Sequence, residues 1–214
     1  NKQTWMHYLT TKSYGFDALI DNAAPIGMDQ DSILFNMAQQ EASCLESPFY
    51  LFITTISMHD PYDSRKVSHP SGTITKNTKD PRDLEFLERL HHFDRNLGRF
   101  LTDLKTKGIL ERSVVVILGD HEIRASNVSE YLHDEYVPFI IINAPARPSG
   151  TVTTTQLDVF PSVLDILECG YTFKGTDYSG LGESIFSPTR ISGRAYQPTD
   201  EDYKMSEMII KGDL

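Results

Sequence analysis

The chain has little of what would let it bind nucleic acid, cross a membrane or rely on cross-links. Twenty Lys and Arg stand against 30 Asp and Glu, a formal charge of −10. A phosphate backbone is held by clustered basic side chains, so a broad nucleic-acid surface is excluded. Apolar residues nowhere run on for the roughly 18 that a membrane span needs. The opening residues "NKQTWMHYLTTKSYG" lack the apolar stretch of a signal peptide, so the sequence as it stands reads as a soluble acidic protein. The only two cysteines, Cys44 and Cys169, have no C-x-x-C spacing. Each falls in a helical pattern and is expected to be a buried small hydrophobe rather than half of a disulfide or a metal pair. Repeats and low-complexity tracts are absent.

What is present is enough for a core. A length of 214 residues, 39% of them hydrophobic, suits one globular domain. Three runs read as buried strands: "FYLFITTI" (49–56), "SVVVIL" (113–118) and "VPFIIIN" (137–143). Their near-continuous apolar and β-branched content predicts a sheet covered on both faces. Helical patterns lie between them. Asp29 is placed to cap a helix with Ile33, Leu34, Met37 and Ala38 on one face. A longer pattern spaces Leu87, Leu90, Phe93, Leu97, Phe100, Leu101 and Leu104 three or four apart and ends at Gly108. A third helix is predicted in "QLDVFPSVLDILECG", with Pro161 in its first turn and Gly170 as terminator. Strands alternating with helices indicate an α/β fold.

Two strand ends carry chemistry. "SVVVILGDHEIR" runs from five aliphatic residues through Gly119 into Asp120 and His121, and "FYLFITTISMHDPY" carries His59 and Asp60 just past its apolar run. In open α/β sheets ligands collect beyond the carboxyl ends of strands, so these groups are predicted to share one edge. The polar stretch 60–80 that follows is long enough to cover such a site. Spacing alone also fits a helix cap with a surface histidine.

In the order and spacing of their motifs these segments resemble the sulfatase-like division of the alkaline phosphatase superfamily, within it the lipoteichoic acid synthase and phosphoglycerol transferase branch. The resemblance is carried by "SYGFDALIDN", "IGMDQDSILFNMAQQE", the His-x-Pro-Tyr-like "HDPY", the Gly-Asp-His of 119–121, "VPFIIINAP", the Asp-x-x-Pro of "QLDVFPSVLDILECG" and "YSGLGESIF". It implies a mixed, mostly parallel sheet flanked by helices, of which residues 1–214 would be the carboxy-terminal part. It further implies that Asp120 and His121 ligate a divalent metal and that His59 contacts the transferred phosphate or sulfate ester. Because imidazole suits manganese or zinc better than calcium, Mn²⁺ is expected first and Zn²⁺ second. The implied substrate is a phosphate or sulfate ester, a lipid head group or a glycan. The implied location is the extracytoplasmic face of the membrane or the periplasm, reached through amino-terminal membrane segments outside these residues.

Two departures qualify the resemblance. After Gly-Asp-His the chain continues "EIRAS", bringing Glu122 and Arg124 near the proposed metal, where the plainer reading is a surface ion pair. The family's nucleophile and first acidic ligand belong to a preceding half that this chain is expected to lack, and the chain alone is expected to be inactive. "SPTR" (187–190) looks like a sulfatase signature but is expected to be a turn. His133 and Asp134 are expected on a solvated approach to a strand, the alternative being that they lean toward the site, and His91 and His92 are expected on a helix as surface or partly packed residues. A domain that keeps this fold without catalysis, binding an anionic glycan or a partner protein, is the competing expectation.

Overall fold

The computed structural model of the chain describes residues 15–20, 30–59, 62, 80–123, 128–129, 136–145, 152–168, 172–173, 176–177, 182–187, 199–201 and 203–204. Two compact units are present, Asn1–Ile141 and Ile142–Leu214. Asp29, Asp60, Arg124, His133, Asp134, Cys169, Gly170 and most of the polar stretch 60–80 lie outside the described residues, as do Pro188–Arg190 of the "SPTR" stretch.

In the first unit, helix α1 (Gln30–Cys44) and helix α2 (Pro81–Thr106) pack against each other. α1 turns Asp31, Phe35, Ala38 and Ala42 inward, while Ile33 of the expected face is exposed. Phe35 stacks on Phe100 at 5.1 Å and tilts against Phe93 at 6.1 Å, within the offset aromatic range. Leu104 and Ile109 complete this core. α2 begins at an Asp80 cap with Pro81 at its first position. It ends as the sequence predicts, at Gly108 (φ 66°). There Gly108 N–H donates to Lys105 O and Ile109 N–H to Leu104 O, both at 2.9 Å, a Schellman closure with its apolar pair inside the core.

The apolar stripe of α2 holds only for its second half. Toward the start the buried residues are Asp83, Glu85, Phe86, Glu88 and Arg89, and Leu90 is exposed. The physical reason is what that half packs against: irregular loops whose amides and carbonyls require polar partners.

Strands β1 (Val115–Leu118) and β2 (Phe139–Ile142) pair in a two-stranded sheet, inside the runs predicted from sequence. Residues 49–56 do not form a strand with any described neighbour, although they are extended in character. Phe49, Leu51 and Ile53 pack on the α1–α2 core, whereas Tyr50 and Phe52 point outward against Phe16, at 5.7 and 6.3 Å. The expectation of burial on both faces is therefore corrected. Tyr50 and Phe52 are about two-thirds exposed, and Leu118 and Ile140 are also exposed, because the helices of the first unit cover one side of the extended segment. Cys44 is likewise exposed, since it is the last residue of α1, beyond the inward-facing Ala42.

In the second unit, a 3-10 turn (Gln156–Asp158) leads into helix α3 (Val159–Ile166), and strands β3 (Thr172–Phe173) and β4 (Thr176–Asp177) pair antiparallel. Pro161 sits in the first turn of α3 as predicted. The left-handed residue that follows the helix is Glu168 (φ 53°).

Candidate functional site

The Gly-Asp-His stretch is held at the end of β1 by close backbone approach. Gly119 N–H donates to Pro138 O at 3.0 Å, and a Cβ at Gly119 would lie 2.9 Å from Val137 Cβ and 3.0 Å from Pro138 Cδ. Only glycine lets the two segments meet without a shift. The two residues beyond it reach solvent: the Asp120 side chain is 91% and His121 43% exposed.

Their geometry is specific. Asp120 Oδ1 accepts the His121 N–H at 3.0 Å. His121 Nδ1 lies 2.7 Å from the Glu122 carbonyl oxygen. A carbonyl can only accept, so Nδ1 carries the proton and the neutral ring presents a lone pair at Nε2. That atom lies 3.7 Å from Asp120 Oδ2. These two atoms would offer a divalent cation one nitrogen and one oxygen donor. Metal-ligating histidines commonly donate their other ring N–H to a carbonyl in this way, and the nitrogen–oxygen donor pair suits a transition metal. The pair therefore fits a divalent ion. Among the described residues, no group of three or more His, Cys, Asp or Glu is placed to hold a metal, so Glu122 does not join the pair.

His59 ends a tight turn. Its N–H donates to Ile56 O at 2.9 Å, and its side chain lies at an exposed position. Met58, beside it, and Ile123, two residues after His121, pack on one small cluster of Tyr62, Phe86 and Val128. The two loops thus converge on a shared apolar support.

Sequence reasoning missed the groups that hold these loops. Asp31, fully buried, accepts Ile56 N–H at 2.9 Å, Ser57 N–H at 3.2 Å and the Ser57 hydroxyl. Arg89 Nη1 donates to Ser57 O at 3.3 Å and His59 O at 2.8 Å, while Nη2 pairs with Glu85. Asp83 takes the Ser129 N–H at 2.7 Å and its hydroxyl. The one available signal was the four-residue spacing of Glu85 and Arg89, which marks an ion pair on a helix. In the second unit Asp158 similarly accepts Thr155 N–H and Glu183 N–H, both at 2.8 Å, and Ser162 Oγ accepts Ile185 N–H at 3.0 Å. These bonds dock the Gly-x-Ser segment on the Asp-x-x-Pro helix.

Comparison with known proteins agrees with this arrangement of motifs. No solved structure matches the chain. Lipoteichoic acid synthases of Staphylococcus aureus strains USA300 and NCTC 8325 / PS 47 are each 25% identical to it over 264 aligned residues, covering 99% of the chain. The chain spans 40% of the length of these relatives. The sulfatase family model matches residues 2–169, and the chain accordingly belongs to the sulfatase family, within the alkaline phosphatase superfamily.

Proposed function

We propose that the chain is the carboxy-terminal, metal-binding portion of a phosphoglycerol transferase-like enzyme acting on phosphate esters of lipid head groups. The observation that carries this reading is the His121 ring, whose Nδ1–H is held by the Glu122 carbonyl and whose Nε2 faces Asp120 Oδ2 at 3.7 Å. Asp120 and His121 would hold Mn²⁺, or Zn²⁺ as second choice. The ion, when bound, neutralises the ester oxyanion and lowers the pKa of a hydroxyl nucleophile. His59 then donates a hydrogen bond to a nonbridging oxygen, or a proton to the departing alkoxide. Similarity to lipoteichoic acid synthases favours the phosphodiester over the sulfate ester.

On the same reading, β1 and β2 belong to a mostly parallel sheet with their carboxyl ends on one edge. The reaction then takes place at the extracytoplasmic face of the membrane or in the periplasm. Among the described residues, no helix is long and apolar enough to cross a membrane, and on this reading the tether is supplied from outside these residues.

The test uses the intact enzyme, stripped with chelator and returned to each ion in turn. Diacylglycerol release from phosphatidylglycerol vesicles should return with Mn²⁺, less with Zn²⁺ and not with Ca²⁺. Turnover of an aryl sulfate without turnover of the phospholipid overturns the substrate assignment, and recovery with Ca²⁺ alone overturns His121 as a ligand.

A further inference from the structure

The turn that carries His59 is tied down far more completely than an exposed loop requires. All four of its carbonyls accept hydrogen bonds. Ile56 O accepts the His59 N–H at 2.9 Å, Ser57 O and His59 O accept Arg89 Nη1 at 3.3 and 2.8 Å, and Met58 O accepts the Tyr62 hydroxyl at 2.7 Å. On the amide side, Ile56 N–H and Ser57 N–H both run to Asp31. Two helices thus grip one turn from opposite chemical sides, α1 with a carboxylate and α2 with a guanidinium.

Resting on the assignment of His59 to the ester site, we propose that Arg89, Tyr62 and Asp31 are positioning residues that fix the His59 imidazole for reaction. Cost and geometry both support this. A buried ion pair such as Glu85–Arg89 is no more stabilising than a well-packed apolar pair of the same volume, so fold stability alone does not explain it. Glu85 orients the guanidinium, and the Tyr62 ring lies 5.4 Å beneath it. The fork is thereby aimed at the two carbonyls flanking Met58. A lysine has one nitrogen and cannot serve Glu85 and both carbonyls with the same geometry. What emerges from this buried network is an exposed histidine on a backbone held by hydrogen bonds on every carbonyl, the arrangement a preorganised site requires. Displacing a reacting group by about 1 Å costs on the order of a hundredfold in rate.

The experiment is a mutant cycle in the intact enzyme, with bis(p-nitrophenyl) phosphate as the probe. Arg89→Lys and Tyr62→Phe are each made in the wild-type and His59→Ala backgrounds, with thermal midpoints as the folding control. R89K should lower kcat by about 10- to 100-fold with KM within about twofold, and Y62F should move kcat in the same direction by less. In the H59A background neither should have any further effect, because both act through His59. Should R89K fail to fold, Y62F carries the same cycle, since it removes a single hydroxyl and keeps the ring on Phe86. A wild-type kcat in H59A alone overturns the role of His59, and the clamp with it. An impaired H59A enzyme in which R89K or Y62F losses are additive, or a folded R89K and Y62F pair with unchanged kcat, overturns the clamp and leaves the role of His59 intact.

Discussion

Asp31 and Ser57, 26 residues apart, are joined twice: the carboxylate accepts both the amide and the hydroxyl of the serine. Asp31 is fully buried, so truncating it strands two amides and a hydroxyl in a dry site. Hydrogen bonds to a charged acceptor contribute about 1.5–3 kcal/mol each. Asp31→Ala should destabilise the protein by about 3 kcal/mol, read as a lower urea midpoint with unchanged slope. Asp31→Asn should cost less. A loss under about 1 kcal/mol for the alanine variant would show that the carboxylate is dispensable to the turn.

Gly182→Ala should be among the most damaging single-methyl substitutions in the second unit. The backbone is left-handed at φ 108°, and an added Cβ would meet Leu157 O at 2.3 Å and Asp158 N at 2.9 Å. Strain and overpacking together amount to about 2–4 kcal/mol. Hydrogen exchange at the Glu183 amide, which Asp158 holds at 2.8 Å, should accelerate. Retained protection at Glu183 would contradict the docking described for the Gly-x-Ser segment.

The cap of α2 should be visible in an acid titration. The Asp80 carboxylate accepts two side-chain bonds and the backbone N–H of Arg82, and this holds its pKa down to about 2 from 3.8. Because the folded value is the lower one, the cap's contribution is present in full above the unfolded pKa and is lost as pH falls toward 2. A carboxyl-detected NMR titration should give that low midpoint, and Arg82→Ala should raise it toward 3.8. An unmoved midpoint would mean that the arginine is not the cause.

The tautomer of His121 is directly measurable. Nitrogen-detected NMR of the metal-free protein should show the proton of the neutral ring on Nδ1, as the 2.7 Å contact with Glu122 O demands. Added Mn²⁺ should broaden His121 and Asp120 before other residues, and Asp120→Ala should remove that preference. A proton found on Nε2 would place the lone pair on the wrong side for the pair to act together.

Much of this was legible in the sequence because it rests on local signals. Gly108 closes α2 since a left-handed residue is needed there, and the runs 113–118 and 137–143 contain β1 and β2 since β-branched residues fit a pleated surface. That Asp120 and His121 come just after a strand was legible as well. The clamp on His59 was not legible. Asp31, Glu85 and Arg89 occupy helix positions where charged residues normally face water, and only the tertiary contacts reveal that they satisfy another segment's backbone. The period of residues 49–56 was misread for a related reason. A nearly unbroken apolar run looks buried on both sides, yet its alternate members meet different surroundings.

That alternation has a genetic consequence. Phe49, Leu51 and Ile53 sit on the helices, whereas Tyr50 and Phe52 lie over Phe16 on the outer side. In a saturation library selected for expression of this chain, tolerance along 49–53 should rise and fall with every residue. Polar codons should be purged at the odd positions and retained at the even ones, so that the two faces of one hydrophobic word evolve under separate rules.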